Sequence, residues 1–335
     1  MQAYVLARYG GPDAAALRDW PRPAPAPGEV LLRVQAVGLN PVDYKIRQGQ
    51  LRALYRYPLP CVLGNELAGV VEANGAGATR FAPGEHVYAR VAKERLGAFA
   101  EYACVPEAYV AKAPASLTAV QAAGVPLAAL TALQALREQL ACGPGQQLLI
   151  TGGAGGVGGF AIPLAHWLGA HVTTTASPRG AALVRSLGAH EVIDYTNTRI
   201  DALPARFDAA FDLVGGEALT QCFAAVKRGG RVLSIAGVPE PRTARIDLQR
   251  GAGLATLFWL VSFGTRAQAR RHGVDYRYLF MRPDGAQLAE LAALIDAGTL
   301  PVTIDRTFEF AQIDAALAYL EAGRAKGKVV VRVAD

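Results

Sequence analysis

A glycine-rich turn between an apolar strand and a helix constrains this chain more than any other feature. Residues 151–158 read Thr-Gly-Gly-Ala-Gly-Gly-Val-Gly, in which Gly153, Gly155 and Gly158 satisfy the pattern G-x-G-x-x-G. The pattern alone is weak, but here it follows the apolar segment Gln147–Thr151 and precedes an amphipathic one. In that context the glycines permit a tight turn, close approach of the backbone to a pyrophosphate, and close packing of helix on strand. We therefore expect the loop to bind a dinucleotide, through Gly153, Ala154, Gly155, Gly156, Val157 and Gly158.

The alternation of strands and helices continues after this loop. Apolar, strand-like segments follow at His171–Thr175, Glu191–Tyr195, Ala209–Val214 and Arg231–Ala236, with helical segments between them. Strands that alternate with helices of this length form a parallel sheet with both faces covered. The chain before residue 118 is instead β-rich, and Gly, Pro and Asn separate its short apolar segments. These patterns, and the length of 335 residues, predict an α/β protein with a doubly wound Rossmann sheet and a second, β-rich domain.

The end of the second strand of the Rossmann unit indicates which dinucleotide binds. In an NAD site, an acidic side chain near this strand end binds the ribose 2′-hydroxyl. No Asp or Glu occurs from Gly152 to His190, whereas Ser177 and Arg179 directly follow the strand. A hydroxyl and a guanidinium suit a 2′-phosphate, which a carboxylate would repel. We therefore expect NADP(H), with Tyr195 at the end of the third strand as a further contact.

Composition argues against several other classes of protein. The net charge of +6 comes from scattered arginines that do not alternate with aromatic residues, so no nucleic-acid partner is expected. No apolar run reaches the ~18 residues that span a bilayer, and the N-terminus lacks the basic and apolar segments of a signal peptide. We therefore expect no membrane partner and a cytoplasmic location. The four cysteines are isolated and indicate neither a disulfide framework nor a zinc knuckle: Cys61, Cys104, Cys142 and Cys222.

Six segments distributed over nearly the whole chain carry a family resemblance. They are Val37–Asp43, Leu63–Gly69, Pro126–Ala132, Gly153–Gly158, Ser234–Gly237 and Ala325–Val330. Together they resemble the medium-chain dehydrogenases/reductases, in the zinc-free branch that is similar to quinone oxidoreductases. Val37–Asp43 resembles the active-site strand and loop of that branch. The resemblance implies a GroES-like catalytic domain of residues 1–118 and 285–335, a Rossmann NADP-binding domain of residues 119–284, and a homodimer.

Two positions depart from the zinc-dependent relatives in this family. Those relatives carry a Cys where this chain has Asn40 and a His where it has Asn65. Asparagine at both positions removes the thiolate and the imidazole that Zn²⁺ favours. The structural zinc lobe is also missing its cysteines, and the five histidines are scattered along the sequence. We therefore expect no metal, and a zinc alcohol dehydrogenase is the least favoured interpretation.

Without a metal, the acceptor has to be activated by hydrogen-bond donors. A quinone or a conjugated carbonyl accepts hydride at carbon, and negative charge then develops on its oxygen. Asn40 and Lys45 are the expected catalytic donors, because enone reductases of this branch often carry Lys in a similar Asn-Pro-Val-Asp-x-Lys run. We expect Asp43, Tyr44 and Tyr55 to line the substrate site. The resemblance implies further contacts to the cofactor from Thr131, Val214, Gly215, Ile235, Ala236 and Lys328.

Two functional hypotheses remain at this stage. The first is an NADPH-dependent reductase of quinones, or of the C=C bond of α,β-unsaturated carbonyls, that acts on a small molecule without metal. The alternative is a catalytically weak NADPH-binding protein, such as a redox sensor or an interaction protein, which would not need Lys45. Residues 240–284 show no clear periodicity, and the sequence does not predict their role.

Overall fold

The computed structural model describes residues 1–334 and separates into two compact units. Unit 1 comprises Met1–Leu130 and the segment from Pro283 onward, and unit 2 comprises Thr131–Arg282. The expected domain boundaries were residues 118 and 285. The first boundary in the structure lies later in the sequence, after Leu130. The reason is that the helix at Ala119–Ala123 packs on strands of the β-rich sheet.

The strands within the described residues are β1 Gln2–Leu6, β2 Ala15–Asp19, β3 Glu29–Leu39, β4 Cys61–Val62, β5 Glu66–Asn74, β6 His86–Arg90, β7 Tyr102–Pro106, β8 Val110–Lys112, β9 Gln147–Ile150, β10 His171–Ala176, β11 Glu191–Asp194, β12 Phe207–Asp212, β13 Val226–Ser234, β14 Asp275–Tyr278, β15 Ile304–Glu309 and β16 Lys328–Arg332.

The α-helices of the same residues are α1 Pro41–Arg47, α2 Ala119–Ala123, α3 Pro126–Leu133, α4 Gly158–Trp167, α5 Pro178–Ser186, α6 Gly216–Ala225, α7 Ala252–Val261, α8 Phe263–His272, α9 Gly285–Asp296 and α10 Ile313–Glu321. Turns of π-helix cover Gln134–Gln139 and Thr243–Asp247, and short 3₁₀ helices cover Pro12–Ala14, Glu107–Tyr109, Ile200–Ala202 and Phe310–Gln312. No helix in the described part of the chain combines the length and the apolar character needed to cross a bilayer.

Unit 2 is built on one fully parallel sheet of six strands. The strand order is β11-β10-β9-β12-β13-β14, the doubly wound order that reverses direction beside β9. The inner strands are buried on both faces, and Leu148, Leu149 and Ile150 of β9 have no exposed surface. This arrangement brings the carboxyl ends of β9, β10, β12 and β13 to one edge of the sheet, where ligands of such sheets bind.

Unit 1 is β-rich. Its larger sheet has the order β15-β16-β3-β5-β6-β8, and β7 also pairs with β3. The C-terminal strand β16 pairs antiparallel with the end of β3, so that Val329 lies opposite Leu39. A smaller sheet, β2-β1-β4, completes the unit. The pairing of β16 with β3 sets residues more than 280 positions apart in sequence beside each other, and the candidate site depends on it.

Two local expectations need correction. The segment after Leu39 is not a loop but helix α1, because Asn40 is its N-cap, Pro41 occupies its first turn and Asp43 completes a capping box. Lys45 therefore lies on a helix. Residues 240–284, which had no readable pattern, form two consecutive helices and the sixth strand of the Rossmann sheet.

Candidate functional site

The glycine-rich loop of unit 2 packs so closely that side chains are excluded at two of its positions. The Gly153 amide donates to the carbonyl of Thr175 at 3.1 Å. A Cβ at Gly153 would lie 2.2 Å from Thr174 Oγ1, and one at Gly158 would lie 2.4 Å from the carbonyl oxygen of Gly153. These distances are far below van der Waals contact. Glycine is therefore needed at Gly153 for packing against β10, and at Gly158 for packing of the helix start on the loop's own backbone.

The same loop presents backbone donors at the start of α4. Within residues 1–334, the amide groups of Ala154, Gly156, Val157 and Gly158 have no hydrogen-bond acceptor. Three of these residues are half-buried, so their amides are not sealed in the core. Free N–H groups at the positive end of a helix dipole suit an anion. The residues present therefore fit a dinucleotide pyrophosphate, as the sequence pattern predicted.

A buried carboxylate, which the sequence analysis did not single out, organises the neighbouring strand ends. Asp212, at the end of β12, has no exposed surface. It accepts hydrogen bonds from Thr151 Oγ1 at 2.9 Å, from Ser234 Oγ at 2.7 Å, and from the amides of Val214 and Gly215 at 3.0–3.2 Å. One side chain thus ties together the ends of β9, β12 and β13. The only signal in the sequence was an aspartate that ends an apolar strand.

The remaining residues expected at the nicotinamide end lie around this network. Val214 is 57% exposed, and Gly215 adopts a φ of +80°, which favours glycine. The amide of Ile235 donates to the carbonyl of Asp212 at 3.2 Å, and the amide of Ala236 donates to Ser234 Oγ at 3.1 Å. Thr131, also in unit 2, is buried in α3.

The end of β10 carries the groups expected to select the dinucleotide. Ser177 is the N-cap of α5, but its side chain makes no capping bond, and Arg179 is exposed in the first turn of that helix. Ala176 of β10 pairs with Asp194 of β11, so Ser177 and the exposed Tyr195 occupy neighbouring positions just beyond the paired strands. The structure therefore brings the three predicted residues to one corner of the sheet.

Asp194, the last residue of β11, is an acidic group close to this corner of the sheet. Its carboxylate accepts hydrogen bonds from the residues that follow it. It accepts from Thr196 Oγ1 at 2.7 Å, from the Thr196 amide at 3.0 Å and from Asn197 Nδ2 at 2.8 Å. These hydrogen bonds, chiefly those from Thr196, lower the pKa of Asp194. The carboxylate is thus committed to its own turn.

In unit 1, a lysine from the C-terminal strand enters a buried polar cluster beside β3. Lys328 Nζ lies 2.8 Å from Glu66 Oε1, 2.5 Å from Asn40 Oδ1 and 3.1 Å from the carbonyl of Leu39. Asn40 Nδ2 in turn donates to Glu66 Oε1 at 2.6 Å, and Glu66 Oε2 accepts from the amide of Leu127 at 2.6 Å. All three side chains are at most 3% exposed.

This cluster changes what was expected of two residues. Lys328 was expected to contact the cofactor, but its ammonium group is buried against Glu66, Asn40 and Leu39 within unit 1. Asn40 was expected to donate to the acceptor, but its side chain joins the Lys328–Glu66 ion pair on both of its polar atoms. Glu66 was missed as a functional candidate because nothing in the local sequence reveals that residue 328 neutralises it.

Asp43 is the buried cap of α1. Its Oδ2 accepts from the amide of Asn40 at 2.7 Å, and its Oδ1 accepts from Asn65 Nδ2 at 2.6 Å. Burial, with a smaller contribution from Glu66, raises the pKa of Asp43 to about 7, although the two hydrogen bonds and Lys328 act in the opposite direction. Because the side chain is 1% exposed, its geometry favours ordering of the site over the expected contact with substrate.

The other candidates on and after α1 are more accessible. Lys45 is half-buried, and among residues 1–334 its ammonium group has no hydrogen-bond or ion-pair partner. Tyr44 is also half-buried, and burial together with the charge of Glu321 raises its pKa. Tyr55 is 9% exposed and stacks on Tyr57 with 6.2 Å between ring centroids. Lys45 is thus the candidate donor whose charge is not committed to another side chain.

Neither the Lys328–Asn40–Glu66 cluster nor the Asp43–Asn65 pair offers a ligand set for zinc. Asn40 and Asn65 supply amides, and the neighbouring carboxylates are already bound by Lys328 and by amide donors. Across the described residues, no group of three or more His, Cys, Asp and Glu side chains is arranged to hold a metal ion. The residues present at the two Asn positions therefore do not fit Zn²⁺.

Three histidines, His166, His171 and His190, lie close together at the edge of the Rossmann sheet opposite the carboxyl ends of its strands. The rings of His171 and His190 stack with 4.3 Å between centroids, and His166 lies 5.3 Å from His190. His190 Nδ1 accepts from the amide of Val172 at 3.0 Å. Burial, and then the charges that His171 and His166 would carry, lower the pKa of His190. This grouping was not predicted, since the sequence shows only scattered histidines.

Comparison with known proteins identifies the family. A model described as the alcohol dehydrogenase GroES-like domain matches residues 26–115, and one described as zinc-binding dehydrogenase matches residues 187–331. The mouse mitochondrial NAD(P)H oxidoreductase RTN4IP1 is 36% identical over 328 residues, which cover 92% of this chain and 82% of the relative. The structure of the quinone oxidoreductase from Coxiella burnetii has a TM-score of 0.84 at 30% identity and covers 99% of both chains. The chain belongs to the quinone oxidoreductase-like medium-chain dehydrogenases/reductases.

Another member of this family is the chloroplastic NADPH-dependent alkenal/one oxidoreductase of Arabidopsis thaliana. It is 35% identical over 343 residues, which cover 99% of this chain and 79% of the relative. The family assignment confirms the predicted fold class, a Rossmann sheet with a GroES-like domain. It also identifies the chain as one of the family's oxidoreductases.

Proposed function

We propose that this protein uses NADPH to reduce a quinone, or the C=C bond of an α,β-unsaturated carbonyl, without a metal. Two kinds of support combine. The relatives named above are a quinone oxidoreductase, an NAD(P)H oxidoreductase and an NADPH-dependent alkenal/one oxidoreductase. The residues of this chain at the corresponding sites have the chemistry that such a reaction needs.

The observation that carries the cofactor half of the proposal is the chemistry at the end of β10. Ser177 and Arg179 stand where an NAD site has a carboxylate, and Tyr195 adjoins them. An arginine and a hydroxyl stabilise a dianionic 2′-phosphate, whereas the nearby Asp194 is bound within its own turn. The free amides of Ala154, Gly156 and Val157 would hold the pyrophosphate, with Gly158 beginning the helix.

The chemistry supplied by bound NADPH is a hydride for an electrophilic carbon of the acceptor. The acceptor's electron pair then moves to its oxygen, where positive charge or a hydrogen-bond donor stabilises it. We assign that role to Lys45, whose ammonium group is not paired within the described residues. Proton delivery to the reduced acceptor by Lys45 or by solvent completes the reaction.

The buried cluster supports Lys45 indirectly. Asp43 binds the amide of Asn40 and the side chain of Asn65, and so fixes the first turn of α1. Lys45 lies in the last turn of the same helix. Asn40, held between Lys328 and Glu66, fixes the residue that precedes the helix. Asn40 is thus proposed to position α1.

The proposal is tested by following NADPH and NADH oxidation with two acceptors, 1,4-benzoquinone and 3-buten-2-one. We expect a much higher kcat/KM with NADPH, and turnover of at least one acceptor. Exclusive use of NADH would contradict the cofactor assignment. Binding of NADPH without turnover of either acceptor would contradict the enzymatic assignment and favour an NADPH-binding sensor or interaction protein.

The role of Lys45 is tested by Lys45→Ala, with Arg18→Ala as the matched control. Arg18 is an exposed cation of the same unit and lies on β2, away from α1. We expect Lys45→Ala to lower kcat by about 10²–10⁴, the contribution of one positioned acid–base or charge-stabilising group, with unchanged NADPH affinity. Equal rates for the two variants would remove Lys45 from the mechanism.

Two further expectations stay predictions. The homodimer is implied by family resemblance, and light scattering during size exclusion measures it. A cytoplasmic location was predicted from the sequence, whereas the relatives from mouse and Arabidopsis are named as mitochondrial and chloroplastic proteins.

A further inference from the structure

The α7–α8 surface is the most apolar exposed part of unit 2. We define it by side chains of α7 and α8 and by Arg250, which lies two residues before α7. Its other members are Leu257, Trp259, Leu260, Val261, Phe263, Arg266, Arg270 and Arg271. The five apolar members are between 45% and 59% exposed. Clusters of large apolar side chains that remain this accessible mark interaction surfaces.

These apolar residues are exposed because α7 buries its other face. Ala255, Phe258 and Ser262 recur at helical spacing and are buried. Leu257, Leu260 and Val261 share the i, i+3, i+4 spacing that places side chains on one face of a helix. The apolar run around Leu254–Phe263 is too short to span a bilayer. The structure adds that half of it is not part of the core.

The junction of the two helices is well ordered by polar contacts. Arg266 Nε donates to Ser262 Oγ at 2.9 Å, and Arg266 donates to the carbonyl of Trp259 at 2.7 Å. Its guanidinium also lies 5.5 Å from the Trp259 ring centroid. The two helices are therefore linked by polar contacts at this surface, and a cation covers part of an aromatic ring.

The charge around the apolar residues is predominantly positive, although the buried carboxylate of Glu240 acts on Arg266. From residue 248 to residue 274 the sequence contains four arginines and no aspartate or glutamate. None of the guanidinium groups of Arg250, Arg266, Arg270 and Arg271 forms an ion pair within residues 1–334. A surface that combines an excess of arginines with exposed Trp, Leu, Val and Phe is complementary to a partner that is both apolar and anionic.

We propose that the α7–α8 surface binds the interface of a bilayer that contains anionic lipids. Tryptophan and phenylalanine are stable at the boundary between headgroups and acyl chains, and arginines reach the lipid phosphates. A second copy of this chain would instead oppose arginine to arginine, and the whole chain carries a net charge of +6. Nucleic acid would pair with the arginines but would leave the apolar residues in water.

This proposal differs from the earlier expectation that no membrane partner exists. That expectation rested on the length of the apolar run, which is a criterion for spanning a bilayer and does not apply to a helix that lies on its surface. The proposal does not depend on the reaction that the protein catalyses, so the test below uses binding and not turnover as its main measurement.

The test is flotation of the full-length protein with vesicles of phosphatidylcholine alone, and with vesicles that also contain phosphatidylglycerol. We expect binding to the second kind and little to the first. Each basic residue at an anionic surface contributes about fivefold in partitioning. Arg270→Gln with Arg271→Gln should therefore weaken binding by about 25-fold. Leu257→Ser with Leu260→Ser should weaken it at least tenfold, at roughly 0.8 kcal/mol per methylene removed from water.

The matched control changes the same net charge elsewhere. Arg18→Gln with Arg185→Gln removes two exposed arginines that lie outside the surface and form no ion pair in the described residues. This variant should bind vesicles within about threefold of the wild type, because neither arginine belongs to the surface that is proposed to contact the lipid. Circular dichroism and unchanged NADPH oxidation without vesicles would establish that all variants fold.

Tryptophan emission gives an independent measurement. The chain has three tryptophans, and replacing Trp20 and Trp167 with Phe leaves Trp259 as the reporter. Its emission should shift to shorter wavelength on addition of phosphatidylglycerol vesicles. No binding to anionic vesicles, or equal binding to both kinds of vesicle, would overturn the proposal. So would an equal loss of vesicle binding in the control variant and in the Arg270→Gln, Arg271→Gln variant. The proposal is also overturned if the leucine variant only converts a dimer into a monomer, because a second copy would then cover the surface.

Discussion

Charge reversal at Arg179 tests the proposed cofactor preference most directly. Arg179 is exposed in the first turn of α5, two residues after Ser177. Because the side chain is exposed, the dielectric constant of water is the appropriate one for its interaction with a bound 2′-phosphate. Arg179→Asp replaces attraction with repulsion at this position and leaves the glycine-rich loop unchanged.

The expected magnitude follows from Coulomb's law. Two unit charges about 5 Å apart in water interact with about 0.8 kcal/mol. The substitution changes the charge by two units beside a phosphate near −2, which gives about 3 kcal/mol before screening. Salt at physiological ionic strength reduces this to about 2 kcal/mol, a loss of about 30-fold in NADPH affinity.

Fluorescence titration of NADPH and NADH measures the effect. We expect the Kd for NADPH to rise about 30-fold and that for NADH to change less than about twofold, since NADH lacks the 2′-phosphate. Arg185→Asp is the matched control, because it reverses an exposed arginine of the last turn of the same helix, about 9 Å further along its axis. An equal loss of NADPH affinity in both variants would show a general field effect, and no loss in Arg179→Asp would remove this residue from the site.

Three further predictions concern Lys328, Asp212 and His190. Lys328→Met should lower the free energy of unfolding by about 3–5 kcal/mol, because it leaves Glu66 buried without its cation. Adding Glu66→Gln should recover part of the lost stability. Urea unfolding that shows no recovery in the double variant would contradict the pairing. Asp212→Asn should lower the free energy of unfolding in urea by about 1–3 kcal/mol and weaken NADPH binding, because one acceptor oxygen is replaced by a donor that faces other donors. An unchanged Kd for NADPH would show that Asp212 does not support the cofactor site. The folded state holds the pKa of His190 below its usual value of 6.5. Near pH 6 the unfolded chain therefore binds more protons at this residue than the folded chain does. The stability that His190 contributes should fall as pH drops below about 6.5. Tm measured from pH 5 to 8 should therefore depend less on pH in His190→Gln than in the control His272→Gln, and equal slopes would contradict the assignment.

Some features of this protein follow from the sequence alone because they are local. The turn from Gly153 to Gly158 is readable since each glycine meets a steric requirement within the same strand–turn–helix unit. The regular alternation of strands and helices predicts the Rossmann sheet for a similar reason, because a helix and a strand bury their apolar residues with different periods. The absence of a carboxylate after β10 is likewise visible in a short stretch around Arg179.

Other features exist only in the tertiary structure. Lys328 meets Asn40 and Glu66 because β16 pairs with β3, and no local pattern specifies which distant cation neutralises a buried carboxylate. The same holds for Asp212, whose four donors come from the ends of three strands. The apolar residues of α7 show the converse case. Their composition suited a core equally well, and only the packing of Phe258 inward determined that Leu260 and its neighbours face the solvent.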